Sequence, residues 1–271
     1  MKFRQIRSAL SIVEFAGVRF LIDPMLGDKY EYPPIPMTVN CAPGTPTSDL
    51  PVPVESLFDV DAVIATHLHF DHFDEAAKAR LPKSLPIFAQ SEAEAAIIRS
   101  WSFEDVRVLS AEGVEFKGVR LCRTECEHGR SDLVMADAYQ KVGMSAEACG
   151  VVFESVDPAL EASRFYLAGD TVYCKAVETT IERLRPGIVA VNAAGAQFPR
   201  GHTLIMNEYD VLDLMSRFPA IDVVATHMDG VSHATVSSDD LRAFRKAHGL
   251  SKLHVPSPDE TLEFTRGPLE A

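Results

Sequence analysis

The stretch Val60-Asp61-Ala62-Val63-Ile64-Ala65-Thr66-His67-Leu68-His69-Phe70-Asp71-His72 decides how this 271-residue chain folds. Four potential metal ligands fall within six residues, in a chain that has nine histidines. Their spacing says which backbone can present them. Side chains at i and i+2 lie about 200° apart around a helix but on one face of an extended chain. His67, His69 and Asp71 therefore converge only if the chain leaves a strand in extended form. His72 points elsewhere unless the chain turns, and one turn at a helix start brings it round to a second metal. A helical zincin motif pairs its histidines at i and i+4 instead. The apolar run before the stretch and the helix-like 74–80 after it place the ligands in a strand-to-helix connection. The competing reading is a polar loop with incidental histidines.

The pattern His-x-His-x-Asp-His resembles the metallo-β-lactamase superfamily, and the resemblance runs across most of the chain. Hydrolases of that superfamily carry a further His, then an Asp closing a strand, then a last His. His128 in Glu127-His128-Gly129, Asp170 in Ala168-Gly169-Asp170-Thr171 and His227 in Ala225-Thr226-His227 occur in that order. The apolar runs 165–168 and 223–225 set Asp170 and His227 just beyond strand ends. The resemblance implies an α/β fold, the αββα four-layer sandwich, with its site at those ends. It also implies that His67, His69 and His128 hold one ion, that Asp71, His72 and His227 hold another, and that Asp170 bridges.

Five imidazoles and two carboxylates suit two divalent ions, zinc first, with manganese, iron or cobalt also served by N and O ligands. Paired ions of this kind lie roughly 3.5–4 Å apart and lower the pKa of a bound water from about 15.7 to about 7. The expectation is a binuclear hydrolase with metal-bound hydroxide as nucleophile. Two divalent ions, two carboxylates and one hydroxide leave the core about one unit positive, which favours an anionic or strongly dipolar small-molecule substrate.

The subclass rests on single positions. Residue 69 is His where the superfamily's di-iron redox branch carries Glu, and Asp170 stands where many zinc β-lactamases carry Cys. Both point to hydrolysis, and away from antibiotic cleavage. Gly169-Asp170-x-x-Tyr173 resembles lactone-hydrolysing members, whose Tyr contacts a substrate oxygen; a core tyrosine at a helix start is the alternative. Order and length look most like the ascorbate-phosphate-lactonase-type branch, although no phosphate-binding cluster is visible. The function expected is hydrolysis of a small lactone or ester, with Asp71, Asp170 and Tyr173 in the catalytic apparatus. Other classes on the same fold are a phosphodiesterase or RNA-cleaving enzyme, which needs a basic stripe, and a non-catalytic metabolite sensor.

Several residues carry two readings. Asn192 opens the turn Asn192-Ala193-Ala194-Gly195 and either donates to substrate or caps the turn. His202 and His233 either line the pocket as proton shuttles, since histidine titrates near neutrality, or are loop histidines. Asp23, in Asp23-Pro24, either supports a ligand histidine from behind or starts a turn.

Composition bounds the rest. With 46% hydrophobic and 24% charged residues, the chain accommodates one large domain over 1–271. A net charge of −13 disfavours nucleic acid as a partner. Neither a signal h-region nor a spanning helix fits the N-terminus, so a cytoplasmic protein is expected, with a homo-oligomer left open. Five cysteines without CxxC spacing read as reduced thiols, with a Cys122–Cys126 metal pair as the alternative. Residues 32–54 hold seven of the seventeen prolines and no hydrophobic period. A loop this long reads as a flap over the metals or as a disordered excursion. Residues 256–271 read as a polar tail.

Hydrophobic patterning predicts a hairpin of 12–15 and 18–22, then strands 61–65, 106–109, 114–116, 119–123, 150–155, 164–168, 188–191, 222–225 and 253–255. Helices are predicted over 91–101, 176–185, 208–217 and 239–248, with Ser91 and Glu94 at capping-box spacing. The run 60–67 is echoed by 221–227; two β-rich halves with the site between them are what the resemblance implies, and a coincidence of common strand residues is the alternative.

Overall fold

The computed structural model describes residues 1–35, 38–39, 43–129, 141, 145–157, 159, 164–199 and 203–265. His202 and Cys41 lie outside the described residues. The chain begins as an antiparallel meander of β1 (Lys2–Arg7), β2 (Leu10–Phe15) and β3 (Val18–Ile22). It then adds β4 (Ala62–Ala65), β5 (Ile87–Ala89) and β6 (Val106–Val108) in parallel. A second sheet repeats the plan. There β7 (Val114–Phe116), β8 (Val119–Glu125), β9 (Cys149–Ser155) and β10 (Phe165–Leu167) run antiparallel. Then β11 (Ile188–Asn192), β12 (Asp222–Thr226) and β13 (Leu253–His254) follow in parallel. Finally β14 (Thr261–Glu263) returns to the first sheet beside β1.

Local chemistry explains these boundaries. Ala16 and Gly17, with φ of 50° and 81°, make the two-residue turn that matches the twist of β2 and β3. Helices α1 (Glu75–Arg80) and α2 (Glu92–Ser100) start at Asp74 and Ser91, whose side chains accept the N–H groups of Ala77 and Glu94. After α3 (Lys175–Leu184), both α4 (Glu208–Arg217) and α5 (Ser238–His248) open on capping boxes, Asn207 with Asp210 and Ser237 with Asp240. At α2 the box is only half made. The Glu94 carboxylate takes the Gln90 side-chain amide at 2.8 Å rather than returning to its own cap.

Three apolar clusters separate four layers. Between the sheets, Phe153 lies 5.3 Å, ring to ring, from both Phe20 and Phe165. Outside the first sheet, Ala77, Ala95 and Ile98 seat α1 and α2. Outside the second, Val177, Val211, Leu214 and Leu241 seat α3, α4 and α5. This is the αββα sandwich. Strands β4, β11 and β12 are buried at every position, which is why they read as unbroken apolar runs. Emptying the inter-sheet layer at Phe153 by an alanine substitution would cost roughly 3–5 kcal/mol.

The structure departs from the sequence reading in four places. Strand β1 pairs Lys2 and Arg4 on one face with buried Phe3 on the other, and its charges hid that alternation. Strand β5 has three residues, too few to show a period. The supposed tail contains β14, because Phe264 anchors it to the inter-sheet core. The echo of 60–67 in 221–227 does not follow the repeat of the sheets. β4 adjoins the strand at which its sheet turns parallel, and the equivalent place in the second sheet belongs to β11, not β12. Two central buried strands share a composition without sharing a position. No described helix is long and apolar enough to cross a membrane.

Candidate metal centre

The polar residues gather where strands of both sheets end. β4 runs into Thr66 and His67, β10 into Gly169 and Asp170, β12 into His227, and β11 closes on Asn192. The chain leaves β4, passes through His67 to His69 and then turns, with the N–H groups of His72 and Phe73 both donating to the His69 carbonyl at 2.9 Å. That turn swings His72 round, and Asp74 then caps α1. Gly169, at φ 70°, makes the approach to Asp170; a Cβ there would lie 2.4 Å from the Cys149 carbonyl oxygen. His227 itself takes a left-handed φ of 67°, held by its N–H donating to Ser8 O at 3.0 Å.

Three groups of donors result. Ligand atoms of His67, His69 and His128 all lie within 4.8 Å of one another, as do those of His67, His72 and Asp170, and those of Asp71, His72 and His227. Asp170 stands between them. Its Oδ2 is 3.3 Å from His72 Nε2, 3.5 Å from His128 Nε2 and 3.9 Å from His67 Nε2. Its Oδ1 is 3.8 Å from His227 Nε2. Asp71 Oδ2 lies 3.6 Å from His227 Nε2 and 3.4 Å from His233 Nε2.

The outer nitrogen of each ring is engaged, which fixes what the inner one presents. His69 Nε2 donates to Ser145 O at 2.7 Å and His128 Nδ1 donates to Leu204 O at 3.0 Å. His72 Nδ1 donates to Asp23 Oδ2 at 2.9 Å, and His227 Nδ1 meets Ser8 Oγ at 3.2 Å. The Thr66 hydroxyl donates to Asp23, so its oxygen is left to accept His67 Nδ1 at 3.1 Å. His69 Nδ1 and His128 Nε2 meet at 3.4 Å.

Charge in the site follows from burial and neighbours. Burial pushes His67 well below the ordinary histidine range and takes His69 and His233 down to about 4. Burial would raise Asp170, but His72, His227 and His128 outweigh it and hold that carboxyl well below its usual value. His72 is the exception. Burial opposes its charge, yet Asp170 and Asp23 keep its proton on well above the ordinary range.

A cation fits these residues. His67 Nε2 and Asp71 Oδ1 are buried and hydrogen-bond to no described residue. Leaving such an atom unsatisfied costs roughly 1–3 kcal/mol. Divalent ions would take up both of these atoms, and an all-N/O donor set suits zinc, manganese, iron or cobalt. The residues able to hold ions are His67, His69, Asp71, His72, His128, Asp170 and His227. Thiols take no part among the described residues; Cys126 Sγ donates to Ala168 O at 3.1 Å instead, so no Cys122–Cys126 pair is formed.

Other expectations fare differently. Tyr173 is not brought to the cluster. Its hydroxyl donates to Glu178 at 3.0 Å and its ring packs on the helix-side core. Asn192 is buried and its Nδ2 donates to Asp170 Oδ1 at 2.5 Å, so its amide is used on a ligand rather than on substrate. Asp23 supports His72 from behind. His202 cannot be placed, whereas His233 lies beside Asp71 with its Nδ1 unpaired.

Ile35, Ala196, Phe198, Leu204 and Ile205 close over the donors and leave a space of about 20 Å³. Ile35 belongs to the proline-rich segment, which thus reaches the metal mouth. Sequence reading missed these side chains and Ser8, because isolated apolar or hydroxyl residues in loops carry no period and no motif.

The sequence profile described as "Beta-lactamase superfamily domain" matches residues 18–228. That span holds all seven donors. The chain belongs to the metallo-β-lactamase superfamily. This superfamily member is 36% identical over 266 residues to the UPF0173 protein YddR of Bacillus subtilis (strain 168), a match spanning 97% of this chain and 100% of that one. It resembles the crystal structure of isothiocyanate hydrolase from Delia radicum gut bacteria with a TM-score of 0.90 and 37% identity, over 97% and 99% of the two chains. It resembles a possible metal-dependent hydrolase from Veillonella parvula DSM 2008 with a TM-score of 0.89 and 34% identity, over 97% and 98%. The superfamily member is thus a homologue of metal-dependent hydrolases.

Proposed function

We propose that this chain is a binuclear metal-dependent hydrolase of small electrophiles, zinc being the ion that suits its donors first, and that its substrate is an isothiocyanate. The position of Asp170 carries the binuclear reading. One carboxylate faces His67, His72 and His128 through one oxygen and His227 through the other, between two donor groups. The likeness to the isothiocyanate hydrolase, at 37% identity over nearly the whole of both chains, supports the substrate.

Ions bound here would supply a water acidic enough to give hydroxide near neutral pH, and would polarise the substrate. The chain's residues do the rest. Asp23, Ser8, Ser145 and Leu204 hold the ligand rings in one orientation. Asn192 holds Asp170, and the apolar residues above exclude bulk water. In the reaction, a water oxygen bonds to the central carbon of R–N=C=S while the C=N π pair takes up a proton at nitrogen. The thiocarbamic acid so formed loses carbonyl sulfide and leaves R–NH₂.

A lactone or ester presents a comparable electrophilic carbon to the same donors. The residue that favoured that class, Tyr173, is engaged by Glu178, so this reading stands second. Steady-state kinetics on allyl isothiocyanate, a γ-lactone, an aryl acetate and an aryl phosphodiester test the choice. The isothiocyanate should lead in kcat/KM by at least ~100-fold, a gap within reach of pocket and chemical discrimination, and chelation should remove the activity. A metal-loaded protein that ignores isothiocyanates while turning over another of these compounds would overturn the assignment.

A further inference from the structure

We infer that the substrate's organic group occupies an apolar chamber above the donors, and that Phe198 and Ile35 set the bulk and polarity it accepts. The inference rests on the hydrolytic reading above only in calling the occupant a substrate. The floor of the space is His and Asp, and the described residues of its walls and roof are Ile35, Ala196, Phe198, Leu204 and Ile205. Among the described residues no Lys or Arg lines it. The apolar side chains named offer a charged tail nothing to replace the water it would lose against them. At about 20 Å³ the space is close to what one water needs. A larger group needs side chains of the wall to give way, and Phe198 and Ile35 are among those that line it.

These two residues are tied to each other and to the metal floor. The Val39 N–H donates to Gln197 O at 3.1 Å, which fastens the segment after Ile35 to the residue before Phe198. Gln197 in turn pairs with Thr203, and the Leu204 N–H donates to Ala196 O at 2.6 Å. The Leu204 carbonyl then receives His128 Nδ1, so the chamber wall and a ligand ring share one anchor. At the far end of the proline-rich segment, Thr45 Oγ1 meets Ser232 Oγ at 2.9 Å beside His233, and the Thr47 N–H donates to Gly230 O at 3.1 Å. The backbone beside Phe198 is thus anchored, so a bulkier tail is accommodated by side chains giving way rather than by the strands parting.

Hydroxamates test this without turnover, because the head group binds metal whatever the tail. Calorimetric Kd values would be measured on the metal-loaded protein for acetohydroxamate, butyrohydroxamate, 3-phenylpropionohydroxamate and succinic monohydroxamate. The wild type should bind the carboxylate-tailed compound at least about tenfold more weakly than butyrohydroxamate, and Phe198→Ala should tighten the phenyl-tailed compound at least about tenfold while leaving acetohydroxamate unchanged, the range expected for bulk in an apolar pocket. Ile35→Val should act in the same direction and keeps the test open if Phe198→Ala does not fold. Equal binding of charged and uncharged tails, or an unchanged tail preference in the variants with metal content intact, would overturn the chamber. Failure to hydrolyse isothiocyanates would overturn the substrate alone.

Discussion

Asp23 Oδ2 accepts the Nδ1–H of His72 at 2.9 Å, while the same carboxylate accepts both the N–H and the hydroxyl of Thr66 at 2.8 Å. One buried side chain thus fixes the orientation of a ligand ring and the start of the ligand-bearing turn. Asp23 sits at φ 45° just past β3, where its N–H donates to Ile64 O, the strand that delivers His67. Structure behind the cluster is therefore shared between two neighbouring strands.

Asp23→Ala should weaken metal binding about 10–100-fold, the loss typical of removing a partner behind a ligand histidine. Asp23→Asn, which can still accept from Thr66, should fall between. Competition titration with a chromogenic chelator measures both; wild-type affinity in Asp23→Ala would show that His72 needs no such support.

Metal uptake should release more than one proton per chain near pH 7.5, because an ion displaces the proton that the bare cluster keeps on His72 and acidifies a bound water. Titration calorimetry in two buffers of different ionisation enthalpy reads that number. Equal heats in both buffers, meaning no net release, would contradict both sources of protons.

Glu94 offers a stability test beside the ligand turn, with the Leu68 backbone among its partners. Burial, the largest influence, raises its carboxyl from 4.5 up to about 7. Below 4.5 both folded and unfolded chains hold the proton; between there and about 7 only the folded chain does, so stability falls as pH rises through that window. Glu94→Gln keeps a partner for Gln90 and removes the penalty. After allowance for the part exposure of this side chain the gain is on the order of 1 kcal/mol, or roughly 2–4 °C in Tm. It should appear at pH 8 and vanish near pH 4.5. An equal gain at both pH values would place its cause elsewhere.

Legibility in the sequence followed periodicity and spacing. The i, i+2 pattern brought His67 and His69 together as read, but the turn that begins at His69 carries Asp71 away from them to His72 and His227. Asp170 and His227 were found because each follows an apolar run, and His128, in a polar and irregular stretch, through the resemblance alone. What stayed hidden depends on contacts between distant segments. Ser8 meets His227 across 219 positions, and nothing local marks it. Tyr173 was misplaced for the opposite reason: its motif spacing was right, but a helix residue five positions on, Glu178, takes the hydroxyl. Asn192 ends a strand as expected, yet its side chain turns inward to Asp170 because the site lies between the sheets.

That difference has a kinetic consequence. Tyr173→Phe should change kcat/KM by no more than about threefold, since the hydroxyl serves a half-exposed pair, which contributes little. Asn192→Ala should cost on the order of tenfold or more, because it strips a buried hydrogen bond from Asp170. Steady-state rates at fixed metal content compare the two, and a larger loss in Tyr173→Phe would return that residue to the site.

Metal content tests the central claim most directly. Plasma emission spectrometry on protein purified without chelator should find about two ions per chain, the number a bridged pair requires. The variant carrying both His67→Ala and His69→Ala should lose at least one of them. A wild-type protein that carries no ion, and takes up none on reconstitution with zinc, manganese or iron, would contradict the account.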